Sequence, residues 1–263
     1  MSRNGKRIAL LAFAAGCALM HATGAVAQAA GKIEPKADRH LKEACTYLAG
    51  LKEFAFRVDE TTDEIDDDGQ KLQFSDRRHV IVSRPNRLMA ESSGDTANRK
   101  FYYDGKTVTL YDKTHHTYGT EKAADTIDAT LDQIHEQFGY TPPLSDVLFA
   151  DPYHALTEHV ESGTYIGLNS VGDTKCHHLA FRQKGIDWQI WIAEGDKPLP
   201  RKLVITYKRE QGEPQYSAVF AHWDESPKLT DDTFTFTPPE GAQKIDFVKV
   251  HAEPSTEKNS PRK

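Results

Sequence analysis

The chain has 263 residues, of which 27% are charged and 38% hydrophobic, and its formal net charge at pH 7 is −6. This length is sufficient for one large domain with a substantial core. The acidic balance argues against nucleic acid or an anionic membrane surface as the main partner.

Residues 1–27 have the features of a secretory signal peptide. Arg3, Lys6 and Arg7 form a basic region, and an apolar run (IALLAFAAGCALM) and an A-x-A cleavage site (AVA) follow it. The apolar run is too short to span a bilayer, for which about 20 apolar residues are needed. We therefore predict a periplasmic protein with no transmembrane segment in the processed chain.

A lipoprotein signal is the alternative interpretation of the same segment. Residues 14–17 (AAGC) end in Gly-Cys, so Cys17 is a candidate for a lipid anchor. Ala14 stands where such a signal usually has Leu, and a good A-x-A site follows. The sequence therefore favours a periplasmic protein over a lipoprotein anchored at Cys17.

A helix and a long series of antiparallel strands come next. The helix is predicted within residues 36–54, where apolar residues recur at helical spacing: Ala37, Leu41, Ala44, Leu48 and Leu51. Strands follow to about residue 120, separated by turn signals at residues 66–69 (DDDG) and 84–86 (RPN). Asp104-Gly105 predicts a tight hairpin with a type I′ turn.

The pattern becomes helical again between residues 126 and 159. Apolar residues at helical spacing mark its first helix: Ile127, Leu131, Ile134 and Phe138. Asp125 is the predicted N-cap, and residues 144–149 and 152–159 predict two shorter helices. This insertion would form a lid that presents its apolar side chains to the sheet.

Residues 164–223 return to strands, and the meander from residue 176 to 223 is apolar on both faces. One face carries eight apolar side chains: Leu179, Phe181, Trp188, Ile190, Ile192, Leu203, Ile205 and Tyr207. The other face is expected to carry Trp191, Val204, Val219 and Trp223. Such a sheet needs a cover on each side or a ligand on one. Residues 233–236 predict a last strand, and residues 248–263 predict a disordered tail.

Two cysteines remain after the signal peptide, Cys45 and Cys176. An isolated pair in an oxidising compartment is a disulfide candidate, and two buried free thiols are the alternative. His177-His178 beside Cys176 matches no zinc-ligand spacing, and no G-x-S-x-G nucleophile elbow is present. The sequence therefore predicts no enzyme, no catalytic residue, no metal and no cofactor.

Several motifs carry a resemblance to known families. Residues 84–88 (RPNRL) and 103–112 (YDGKTVTLYD) resemble the P-x-R-(F/L)…DGK…YD pattern of the LolA/LolB-like lipoprotein carriers. Most of residues 36–247 resemble a family of predicted periplasmic proteins, a domain of unknown function assigned to that fold. The segments that carry this second match are TIDATLD (126–132), DPY (151–153), CHHLAFR (176–182), DWQIWI (187–192) and PLPRKLVITY (198–207).

The resemblance implies an α+β, mainly antiparallel fold. We expect a strongly curved, unclosed β-barrel of about 11 strands with an N-terminal helix and a helical lid, forming a single LolA-like domain over residues 36–247. This geometry agrees with the meander that is apolar on both faces, because one face would line the concave side.

Two functions fit this fold. The first is a periplasmic binding or carrier protein for a lipid, a lipoprotein acyl chain or another hydrophobic ligand. Seven residues are predicted to contact that ligand, on the sheet Trp191, Val204 and Val219 and on the lid Ile134, Phe138, Leu148 and Phe149. The second is an envelope sensor or protein-interaction module that uses the same curved sheet without transporting a small ligand.

Overall fold

The computed structural model of the protein describes residues 33–142 and 144–247. The predicted signal peptide, Cys17 and the predicted C-terminal tail lie outside these residues. The helices of the described part are α1 (Pro35–Gly50), α2 (Ile127–Phe138) and α3 (Pro152–Thr157). Its strands are β1 (Glu53–Ile65), β2 (Lys71–Ser83), β3 (Arg87–Gly94), β4 (Asn98–Tyr103), β5 (Thr107–Asp112), β6 (Thr117–Lys122), β7 (Val160–Val171), β8 (Thr174–Gln183), β9 (Ile186–Ala193), β10 (Pro200–Tyr207), β11 (Gln215–Asp224) and β12 (Gln243–Lys244).

These strands form one sheet in the order β12-β6-β5-β4-β3-β2-β1-β11-β10-β9-β8-β7. Neighbouring strands are antiparallel, except that the short β12 is parallel to β6. Strands β12 and β7 stand at opposite ends of the order, so the curved sheet is not a closed barrel. The predicted fold class is confirmed, with 12 strands in the described sheet.

Helix α1 covers the part of the sheet formed by β7, β8 and β9. Pro35 stands in its first turn, where the missing N–H removes no helical hydrogen bond. The predicted apolar stripe is buried from Ala37 to Leu48, and the next residue of the stripe, Leu51, is half-buried just after the helix. Regular apolar spacing therefore places this helix against the concave face, as the sequence predicts.

Helix α2 lies over the other half of the sheet. Thr126, rather than the predicted Asp125, is its N-cap, because the Thr126 side chain accepts a hydrogen bond from the backbone N–H of Ala129 at 3.2 Å. Gly139 ends the helix with a φ of 62°, a left-handed conformation that suits glycine. The Ile127 N–H also donates to the Pro85 carbonyl at 2.8 Å, which ties α2 to the turn after β2.

Three local predictions are wrong in detail. The hairpin after β4 forms, but only Gly105 has a positive φ, whereas a type I′ turn needs one at both central residues. Residues 144–149 contain a single 3-10 turn at Ser145–Val147 instead of an α-helix. The predicted strand at residues 233–236 is absent, because Thr230 caps a 3-10 turn at Asp231–Thr233.

The core lies on the concave face of the sheet. Cross-strand pairs carry one row of buried side chains across the meander, from Leu179 through Ile190 and Leu203 to Ala218. Trp223 belongs to this face rather than to the predicted outer one, since its ring lies 4.7 Å from that of Phe56. The register of β1 and β11 shifts between Arg57 and Val58. A bulge of this kind reverses which residues face inward beyond it, and alternation alone could not reveal it.

Candidate functional site

A cavity of about 340 Å³ lies between the concave face of the sheet and α2. Strands β2, β3, β4 and β5 supply its floor through alternate residues, Val80, Leu88, Ala90, Phe101, Val108 and Leu110. Alternate residues of a strand share one face, and cross-strand pairing aligns Val80 with Ala90 and Phe101 with Leu110. The volume falls at the lower end of the range for ligand pockets, roughly 300–1,000 Å³.

The roof of the cavity comes from the predicted lid. Leu131, Ile134 and Phe138 project from one side of α2, as their spacing of three and four residues requires. The segment between α2 and α3 adds Tyr140, Pro142 and Leu148 to the lining. The roof is therefore apolar except for the Tyr140 hydroxyl, and that side chain is 53% exposed.

Phe247 closes one side of the cavity. Its ring lies 5.3 Å from that of Phe138 and rests against Gly119 of β6. A Cβ at position 119 would come within 2.8 Å of the Phe247 ring. Glycine at this position thus lets the C-terminal segment approach the sheet.

One end of the cavity is polar. Arg78, Ser92 and Arg99 are cross-strand neighbours on β2, β3 and β4, and all three line the cavity; we call them the polar row. The sequence analysis missed these residues. Their signal was the alternation along β2 to β4, in which Arg78, Ser92 and Arg99 continue the apolar floor toward the strand ends.

Arg78 is held by the buried carboxylate of Glu60. Its Nε donates to Oε1 at 3.0 Å and its Nη2 donates to Oε2 at 3.0 Å, and Tyr216 donates its hydroxyl to Oε1 at 2.6 Å. Burial opposes the charge of Arg78, but the hydrogen bonds to Glu60 outweigh it, so the pKa of Arg78 is raised. Burial, together with the Glu60 charge, raises the pKa of Tyr216, which keeps its hydroxyl proton.

Arg84 ties the lid to the turn after β2. Its Nη1 donates to the Leu148 carbonyl at 2.6 Å, and the guanidinium lies 5.5 Å above the centre of the Phe54 ring. Within the described part of the chain, its buried Nε and Nη2 have no hydrogen-bond partner. Burial lowers the pKa of Arg84 accordingly. This side chain anchors the residue that forms the lid wall of the cavity.

The structure brings together only some of the seven predicted contact residues. Ile134, Phe138 and Leu148 line the cavity. Phe149 packs against the core beside Leu148 and is not among the lining residues. The lid half of the prediction thus lies at the cavity, with Phe149 displaced from it.

Trp191, Val204 and Val219 lie on the opposite face of the sheet, away from the cavity. Each precedes or follows a core residue by one position, and neighbouring residues of a strand face opposite sides. Trp191 stacks on His178 at 4.0 Å, and the Lys202 ammonium lies 5.1 Å above its ring. The half-buried Trp191 therefore packs in a cross-strand stack on the outer face.

Neighbouring histidines of β8 also point to opposite faces. His178 contacts Trp191 outside, while His177 faces α1 and stacks on His40 at 3.7 Å. Burial, with the nearby His40 acting in the same direction, lowers the pKa of His177. These contacts assign both rings to packing on their own sides of the sheet.

Cys45 and Cys176 are both buried free thiols, so the disulfide that the sequence left open is not formed. Cys45 lies on the core side of α1, whereas Cys176 is on the same face of β8 as His178. The sheet therefore stands between them. Burial, together with the charge of Asp151, raises the pKa of Cys45 to about 12.

A curved, unclosed antiparallel sheet with an apolar cavity under a helical lid defines the class of this protein. The chain belongs to the family described as "Predicted periplasmic protein (DUF2092)", whose sequence profile matches residues 37–248. No curated protein is close enough in sequence to count as a match. Across residues 33–142 and 144–247, no helix combines the length and apolarity needed to cross a membrane.

Among solved structures, the chain is similar to three with low sequence identity. An uncharacterized conserved protein from Thermus thermophilus is 12% identical, with a TM-score of 0.47 over 81% of this chain and 99% of that one. LprF from Mycobacterium bovis is 13% identical, with a TM-score of 0.46 over 81% and 100%. A LolA superfamily protein from Nitrosomonas europaea is 10% identical, with a TM-score of 0.39 over 76% and 97%.

Proposed function

We propose that this protein is a periplasmic binding or carrier protein that holds a lipid, a lipoprotein acyl chain or another hydrophobic ligand in the lidded cavity. The observation that carries the proposal is the cavity of about 340 Å³, with an apolar floor from β2–β5 and an apolar roof from α2. Burial of an acyl chain there requires no chemistry, since each buried methylene contributes about 0.8 kcal/mol.

Entry of a ligand requires the roof to separate from the floor. The lid is attached at a few polar points, among them the Arg84–Leu148 hydrogen bond and the contact of the Ile127 N–H with the Pro85 carbonyl. Its remaining attachment to the floor is apolar packing, which an acyl chain replaces with contacts of the same kind. We infer that α2 and the segment after it move as the gate.

Native mass spectrometry of the protein purified gently from its host, followed by lipid extraction, tests the proposal. Ala90 is in the middle of the floor, so Ala90→Leu fills part of the cavity, whereas Ala129→Leu adds the same atoms on the exposed side of α2. We expect a co-purifying lipid on the unmodified protein and on Ala129→Leu, and its loss from Ala90→Leu. Absence of lipid from all three, or equal lipid on all three, would contradict the proposal.

The second candidate, an envelope sensor or interaction module, is favoured by the edge strand β7. Ile166 and Leu168 on this strand are 52% and 54% exposed, and an edge strand can accept an added strand from a partner. A photo-crosslinker placed at position 168 in cells tests this function. One dominant protein adduct would support it, and the absence of any protein adduct would count against it.

A further inference from the structure

Hydrogen-bond donors exceed acceptors in the polar row at the end of the cavity. Arg78 uses Nε and Nη2 for Glu60, and no hydrogen bond within the described residues involves its Nη1. Ser92 is 8% exposed, and its hydroxyl also makes no hydrogen bond in the described part. Buried donors are normally paired, so this end of the cavity lacks an acceptor.

Arg99 supplies the cation of the row that is not engaged by a hydrogen bond. Its contact with Asp112 is an ion pair at 3.9 Å. The Asp112 carboxylate instead accepts hydrogen bonds from the His115 ring at 3.0 Å and from the Thr114 and His115 backbone. The Arg99 side chain is 54% exposed and lines the cavity, so its guanidinium is open to a ligand.

The other carboxylate near this end is also occupied. Asp76, one rung beyond Arg78 on β2, accepts hydrogen bonds from the Thr96 and Ala97 backbone N–H groups at 3.1 and 3.2 Å. Glu60 is engaged by Arg78 and Tyr216. The acidic groups of this end therefore have donors of their own, while the donors of the polar row face the cavity.

We propose that the ligand is a single-chain amphiphile with an acidic head group, a carboxylate or a phosphate, whose oxygens accept from Arg99, Arg78 Nη1 and Ser92. This inference rests on the proposed function and names its ligand class. The floor from Leu88 to Ser92 covers four residues of strand rise, roughly 13 Å. The acyl tail would lie along that floor with the head group at the open, polar end.

Displacement of the neutral fluorescent probe N-phenyl-1-naphthylamine from the delipidated protein tests the inference. The competitors are laurate, lauryl phosphate and lauryl alcohol, which share a tail and differ in the head group. We expect at least one acid to displace the probe at a concentration about tenfold lower than the alcohol, as a charge-assisted hydrogen bond implies. The relative strength of laurate and lauryl phosphate distinguishes the two acids.

Arg99→Gln should remove this preference, and Lys100→Gln should keep it. Lys100 neighbours Arg99 on β4 but faces the outer side with Glu91, so it matches the charge change without touching the cavity. As a measurement on the unmodified protein, added salt should narrow the gap between acid and alcohol. A preference that survives both Arg99→Gln and high salt would overturn the inference.

The outcomes separate this inference from the proposed function. Equal displacement by all three competitors would overturn the acidic head group and leave a hydrophobic-ligand carrier. Displacement by none of them, with the probe itself unbound, would overturn both.

Discussion

Replacement of Tyr216 by Phe tests the hydrogen-bonded group that holds Arg78 at the cavity. The Tyr216 hydroxyl donates to Glu60 at 2.6 Å, and the two residues are only 5% and 4% exposed. Hydrogen bonds to charged groups contribute about 1.5–3 kcal/mol. Because Glu60 keeps both bonds from Arg78, the carboxylate stays paired and the fold persists. We expect the free energy of unfolding to fall by about 1.5–3 kcal/mol.

Urea unfolding followed by tryptophan fluorescence measures this loss, because Trp188 and Trp223 lie in or against the core. Tyr207→Phe is the matched control: it is half-buried on the same concave side, and its hydroxyl makes no hydrogen bond within the described residues. The control should change stability by less than about 0.5 kcal/mol. Equal losses in both variants, or a loss below about 0.5 kcal/mol in Tyr216→Phe, would refute the reasoning.

Other variants test the pKa shifts and the cap of α2. The lowered pKa of His177 predicts stability that is full above about pH 6.5 and falls as the pH drops through the native pKa. In thermal melts, His177→Phe should flatten that dependence; an unchanged pH slope would contradict it. With its pKa raised to about 12, Cys45 should react with Ellman's reagent only after unfolding, and fast labelling of native protein would argue otherwise. Thr126→Ala should lower the unfolding free energy by about 1 kcal/mol, whereas unchanged urea stability would exclude the cap.

The helices and the lid could be predicted because their signals are local. Ala37 to Leu48 and Ile127 to Phe138 each place apolar side chains on one helical face, and a helix with one such face must bury it. The strand series was equally readable, since Gly and Pro turns separate alternating segments. Both levels depend on near neighbours in the chain.

The position of the site depended on information that alternation does not contain. A period of two separates the faces of a strand but does not say which face is concave. In the meander, the face with Leu179 and Ile190 is filled by packing under α1, and Trp191 is on the other side. The cavity instead lies over β2–β5, where the roof of α2 leaves space above small residues such as Ala90.

Short-range competition explains the smaller differences. Thr126 and Asp125 are both good N-caps by composition, and only the hydrogen bond to Ala129 decides between them. Residues 233–236 alternate as a strand would, yet Thr230 satisfies the backbone of a 3-10 turn there, and Phe234 is buried at 2% exposure.

Photo-crosslinking with a diazirine-bearing fatty acid tests the central claim most directly. After labelling and digestion, mass spectrometry identifies the modified peptides. The account predicts adducts on the cavity floor and roof, on peptides that contain Phe101, Leu131 or Phe138, and their loss in Ala90→Leu but not in Ala129→Leu. Adducts concentrated instead on the outer face around Trp191 and Val204, unaffected by Ala90→Leu, would contradict it.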